Sequence, residues 1–181
     1  MRTTKAAEPV AKRPSFDAVT APGIPPGRLS LSLINSYIMQ TLDFSIRINA
    51  PREKVWDSLW SEAGYRHWTA AFAEGSYYEG DFTEGGRVRF LGPNGSGMWS
   101  IVGAHHAPER VVFVHQGAIK DGAEQEPGEW AGTTESYTLA DAGSATELSV
   151  QVETMEAAAG YFNETFPKAL ARLKEAVEGS L

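Results

Sequence analysis

The stretch Leu42-Asp43-Phe44-Ser45-Ile46-Arg47-Ile48-Asn49-Ala50-Pro51-Arg52-Glu53-Lys54-Val55-Trp56 carries two periodicities back to back. Leu42, Phe44, Ile46 and Ile48 alternate with Asp43, Ser45, Arg47 and Asn49, the period of a half-buried strand. Pro51 then presets φ at a first helical position, Glu53 falls in the first turn, and Val55, Trp56 and Leu59 recur at helical spacing. A strand thus runs directly into a short helix. Gly64 is expected to break it, and Tyr65, Trp68 and Phe72 suggest a second short helix leading out to Gly75.

Outward from this stretch toward the C-terminus the signals become short strands: Ser76 to Tyr78, Arg87 to Leu91, Gly97 to Val102, Arg110 to Gln116, Thr133 to Leu139 and Glu147 to Thr154. Glu84-Gly85-Gly86, Pro93-Asn94-Gly95, Ala107-Pro108, Asp121-Gly122 and Asp141-Ala142-Gly143 punctuate them, so an antiparallel meander is expected. From about Ala157 the period returns to 3.6. Phe162, Phe166, Leu170, Leu173 and Val177 form one stripe ending at Gly179, with Pro167 inside it as an expected kink. One apolar helix stripe and one apolar sheet face must bury each other, which makes the fold α+β: a curved antiparallel sheet of about seven strands against a long C-terminal helix.

Toward the N-terminus the pattern stops. Residues 1 to 38 carry Arg2, Lys5, Lys12, Arg13 and Arg28 against only Glu8 and Asp17, hold half of the 10 prolines, and contain no Trp. Such a segment cannot bury enough surface to order itself, and is read as a disordered arm or an artefactual extension ahead of a true start at Met39. Residues 39 to 181 are the single expected domain. They hold the acidic excess behind the net charge of −7, which disfavours nucleic acid as a partner. The absence of cysteine removes disulfides, thiolate metal sites and cysteine nucleophiles, and points to a reducing compartment, the cytoplasm. No apolar run approaches the roughly 20 residues of a membrane span.

Strand parity drafts an interior. If Phe90, Trp99, Ile101, Phe113, Tyr137, Leu148, Val150 and Val152 face inward, period two brings His115 and Glu135 inward with them. Trp56, Trp60, Tyr65 and Trp68 from the short helices, and Tyr161, Phe162 and Phe166 from the last one, would complete an aromatic wall around a cavity for a small hydrophobic ligand. His115 and Glu135 on neighbouring strands would form either a satisfied buried contact or an imidazole base oriented by a carboxylate. His105 and His106 are adjacent and point to opposite faces, and His67 lacks ligand spacing, so neither a metal nor a cofactor is expected. Gly92, Gly95 and Gly97 read as a hairpin turn rather than a phosphate loop. The acidic connection Ala118 to Ala131, ending near Trp130, reads either as a solvated surface excursion with Trp130 packed on the rim or as a lid, toward which the large aromatic at its end points.

The order β-α-α-β6-α, with Asn49-Ala50-Pro51-Arg52-Glu53-Lys54-Val55-Trp56, the Trp68 exit, Glu84-Gly85-Gly86, Pro108-Glu109-Arg110-Val111-Val112-Phe113 and Thr165-Phe166-Pro167-Lys168-Ala169-Leu170, resembles the SRPBCC (START-like, birch-pollen-allergen-like) superfamily. Within it the chain is most similar to the branch named after the activator of heat-shock protein 90 ATPase. The resemblance covers about residues 40 to 178 and implies a helix-grip domain enclosing an apolar cavity. It does not imply one chemistry, since the superfamily includes lipid carriers, polyketide cyclases and co-chaperone domains. Ligand binding without evident catalysis is the expected function. A cyclase- or hydrolase-type enzyme using His115 and Glu135 is the alternative. Chaperone activation is a further one, for which the resemblance would require an Asn/Trp-rich recruitment motif that this sequence lacks.

Overall fold

The computed structural model describes residues 38 to 179, so the reading of residues 1 to 37 as an arm lies outside the described residues. Strand β1 (Met39–Ile48) leads into helices α1 (Arg52–Trp60) and α2 (Glu62–Thr69). There follow β2 (Tyr77–Gly80), β3 (Arg87–Leu91), β4 (Gly97–His106), β5 (Arg110–Lys120), β6 (Ala123–Glu124), β7 (Thr134–Ala142) and β8 (Ala145–Met155), and α3 (Glu156–Gly179) closes the chain. The sheet is antiparallel in the order β1-β8-β7-β5-β4-β3-β2, with β6 paired to β5. The α+β architecture expected from sequence is the observed one, with eight strands rather than about seven. The additional strand is the two-residue β6, formed because Asp121 and Gly122 both take positive φ (50° and 78°) and reverse β5 in a tight hairpin. Among the described residues no helix is long and apolar enough to cross a membrane.

The alternation of β1 is realised against β8, from Met39↔Met155 to Ile48↔Thr146, so both strands turn the same apolar face inward. Ile48, Leu148, Val150 and Val152 are buried there beneath Phe166, Leu170, Leu173 and Val177 of α3. Each such aliphatic side chain contributes about 1.5–3 kcal/mol on burial. The C-terminal turns of α3 are tied back to the end of β1, where Glu178 Oε1 accepts from Asn49 N at 2.7 Å and Lys174 Nζ donates to Arg47 O at 2.7 Å. Helix α3 runs through Pro167 as one element. Near its start, a methyl group added at Gly160 would meet nothing within 4 Å, so Gly160→Ala should stabilise the protein by about 1 kcal/mol through helix propensity, read as a raised melting temperature.

Two local expectations are corrected. Pro51 stands just outside α1 as its cap rather than at the first helical position, and α1 ends at Trp60 because Ser61 leaves helical geometry (ψ 150°). Gly64 is not the breaker; it lies within α2, where Ser61 Oγ caps the helix by accepting from Gly64 N at 3.3 Å.

Candidate functional site

The short helices and α3 do not fill the space above the sheet. A pocket of about 670 Å³ remains, and its wall includes Trp60, Tyr65, Trp68, Phe90, Phe113, Tyr137, Phe162 and Phe166. The exposed residues Pro93, Asn94 and Tyr161 mark its rim. Trp60 organises the inner wall: its ring meets those of Trp56, Tyr65, Trp68, Phe82, Phe113 and Tyr137 with centroids 4.9–6.4 Å apart, mostly edge to face. Its backbone carbonyl accepts from Tyr78 Oη at 2.5 Å, and Trp68 Nε1 donates to Leu59 O at 3.0 Å, so both short helices are anchored by polar handles on aromatic side chains.

One ionisable carboxylate belongs to this wall. Glu135 on β7 lies opposite Phe113 of β5, with its side chain 20% exposed. Glu135 Oε1 accepts a hydrogen bond from Tyr137 Oη, two residues along the same face. Glu135 Oε2 lies 3.5 Å from His115 Nε2, and His115 Nδ1 lies 2.8 Å from Ser100 Oγ. A neutral imidazole carries one ring proton; the carboxylate draws it to Nε2, which leaves Nδ1 to accept from the Ser100 hydroxyl. The result is a row of polar groups, Ser100–His115–Glu135–Tyr137, joined by hydrogen bonds at its two ends and by the 3.5 Å approach of His115 to Glu135 between them, of which His115 and Ser100 are buried behind the wall.

Burial and the nearby Glu135 charge push the Tyr137 phenol well above its ordinary value of 10.0, as does its hydrogen bond to that carboxylate; burial, then Glu135, does the same to Tyr65. Both hydroxyls therefore stay protonated in the folded protein. A raised folded-state value gives stability that is fully present below pH 10 and is lost as pH rises beyond it. In an alkaline titration followed by phenolate absorbance, Tyr65 and Tyr137 should ionise only together with unfolding seen by circular dichroism.

The residues singled out in the sequence divide as follows. Trp60, Tyr65, Trp68, Phe90, Phe113, Glu135, Tyr137, Tyr161, Phe162 and Phe166 are brought together around the pocket. Trp56 is not; its ring stacks on His105 at 5.6 Å and reaches the wall only through Trp60. Trp99 and Ile101 point to the opposite face. Their partners Arg89 and Arg87 lie on that outer face, and the Arg87 guanidinium sits 4.5 Å over the Trp99 ring. The inward residues of β4 are instead Met98, Ser100 and Val102, paired with Phe90, Val88 and Phe113 of the flanking strands. His115 is on the inner side but stands behind Glu135, so the expected roles are exchanged: the carboxylate meets the pocket and the imidazole backs it.

The segment after β5 is not a lid over the pocket. Glu124 of β6 is held on the outer face by Arg87 at 2.8 Å and Arg89 at 3.7 Å, and Gln125 O packs against Gly117 beside the Trp99 indole. Trp130 meets the edge of the His115 ring, 6.2 Å between centroids, and is absent from the pocket wall. Sequence reasoning missed Phe72, Met98, Ser100 and the β3–β4 turn, Leu91 to Gly97, as parts of the site. The turn glycines were a usable signal, since Gly97 permits the close return beside Phe90 O, where a methyl group would sit at 1.9 Å.

None of the curated proteins matches the chain in sequence. Among solved structures, the Aha1 dimer from Colwellia psychrerythraea shares 23% identity over 77% of this chain and 96% of its own, with a TM-score of 0.60. Protein MLL2253 from Mesorhizobium loti shares 16% over 78% of this chain and 99% of its own, with a TM-score of 0.63. DynU16, of the dynemicin biosynthetic locus, shares 16% over 76% of this chain and 47% of its own, with a TM-score of 0.59. At these identities the likenesses establish the fold. The family model described as activator of Hsp90 ATPase homolog 1-like protein matches residues 49–178, the whole of the domain from the end of β1 to the end of α3, and the chain belongs to that family.

Proposed function

We propose that this protein binds a small hydrophobic ligand in the pocket between its short helices, α3 and the sheet. The observation that carries the reading is the contrast between a closely packed core under β1 and β8 and about 670 Å³ of aromatic-walled space beside it. Protein interiors pack to crystal-like density, and space of this size lined by aromatic side chains matches that of small-molecule sites. The similarity to a protein of a biosynthetic locus accords with a ligand of natural-product size. Native mass spectrometry of the protein purified from its own cells tests this. The expected result is a co-purifying small molecule, displaced by Phe90→Trp, which fills the pocket from its β3 wall. A mass equal to the bare chain, with no uptake of an environment-sensitive apolar dye, would overturn the reading.

The row Ser100–His115–Glu135–Tyr137 favours a second reading, acid–base chemistry on the bound molecule with Glu135 as the proton acceptor. Two variants separate the readings. If the pocket only binds, His115→Gln leaves the recovered ligand chemically unchanged and shifts its affinity by about 0.5–1.5 kcal/mol. If Glu135 accepts a proton with His115 behind it, Glu135→Gln lowers turnover of that ligand by about 100-fold or more.

A further inference from the structure

The pocket wall contains one carboxylate and, among the described residues, no Lys, Arg or His. Glu135 Oε1 already receives the Tyr137 hydroxyl, and His115 lies at its other oxygen. A carboxylate has about four acceptor positions, so accepting sites remain on its pocket-facing side. From these observations we infer that the pocket takes apolar molecules whose polar end donates a hydrogen bond, an alcohol, phenol or protonated amine, and rejects those whose polar end is a carboxylate or phosphate. The inference rests on the ligand-binding reading and adds the polarity of the ligand's head to it.

The physical reason is asymmetric. A donor reaching Glu135 makes a charge-assisted hydrogen bond in a water-poor site. An anion in the same place meets a like charge with no cation to offset it, and must leave water to do so. The arginines of β3 and α1 do not compensate. Arg87 and Arg89 lie on the outer face and are engaged by Glu124 and Glu79, and Arg52 is engaged by Glu109 and Asp141. The hydroxyls of Thr69 and Ser76 in the wall already donate to the carbonyls of Tyr65 and Ala73. A carboxylate ligand would find the Tyr65 hydroxyl and the buried, unpartnered Trp60 indole N–H, neutral donors that leave the charge of Glu135 uncancelled.

The test uses three fluorescent probes with one ring system: 1-pyrenemethanol, 1-pyrenemethylamine and 1-pyrenecarboxylic acid. Each is titrated into the full chain at neutral pH, in low salt and again in 0.5 M salt, where attraction to the acidic surface is screened. The expected result is that the alcohol and the amine bind at least about tenfold more tightly than the acid at both salt concentrations, and that Glu135→Gln brings the three within about threefold. Equal binding of all three to the unaltered protein overturns the inference while leaving ligand binding intact, and needs no variant. A preference that persists in a folded Glu135→Gln protein also overturns it, by placing the selectivity elsewhere. If none of the probes binds, the ligand-binding reading falls and the inference falls with it.

Discussion

Replacing Trp60 by Ala should lower the free energy of unfolding by about 3–5 kcal/mol, a large fraction of what a domain of this size possesses. Trp60 is 7% exposed and touches six other aromatic rings drawn from α1, α2, β5, β7 and the connection before β3. Truncation removes the indole from the point where these elements converge, and the adjoining pocket gives the neighbours room to shift rather than a rigid wall to hold the void. The midpoint of urea unfolding should fall with little change in slope. Loss of less than about 1 kcal/mol would mean that the inner wall is loosely packed. Trp56→Ala is the matched control, because that ring is only half-buried and stacks mainly on His105; its cost should be clearly smaller.

Gly64→Ala is the second change of large expected effect. A methyl group there would sit 2.1 Å from Ser58 O and 2.7 Å from Ser58 C, backbone atoms of the preceding helix that cannot rotate away. In an open helix Gly→Ala stabilises by about 1 kcal/mol. Here α1 and α2 must separate, with an overpacking cost of about 1–3 kcal/mol or more. Because Trp60 and Trp68 flank the junction, the near-ultraviolet circular dichroism should change as well. A stabilised Gly64→Ala protein, behaving like Gly160→Ala, would refute the close approach of the two helices.

The elements that could be read from sequence are those with one buried face. From Leu42 to Ile48 in β1 and from Leu148 to Val152 in β8 every second residue is apolar and its neighbours are polar, so only one register hides the apolar set. The stripe of α3 is equally unambiguous. Strand β4 is not, because Trp99 and Ile101 make its outer face as apolar as the inner face of Met98, Ser100 and Val102. Choosing the bulkier set put Trp99 inside. That outer face is covered by Arg87 and the β5–β6 hairpin, contacts between distant segments that alternation does not report. The pairing of β4 with β5 also shifts between Trp99 and Ser100 and between Val102 and Ala104, so parity counted along either strand fails to carry across. Ser100 was overlooked for the same reason: a small polar residue gives no sign of lying inside until its partner His115 is placed.

The pairing of β1 with β8 sets the order in which the molecule can be completed. Thr146 Oγ1 donates to Ala50 O across 96 positions of sequence, and the strands beside this bond are joined over comparable distances. Contacts of such separation demand closure of long loops before they return any stability, which makes folding slow relative to a helical protein of equal size. On a translating ribosome β1 therefore emerges with its apolar edge unpartnered and waits for nearly the entire domain to follow. The pocket is assembled later still, since Phe162 and Phe166 belong to α3, which follows every other described element in the chain. A nascent chain stalled before α3 therefore has no finished pocket.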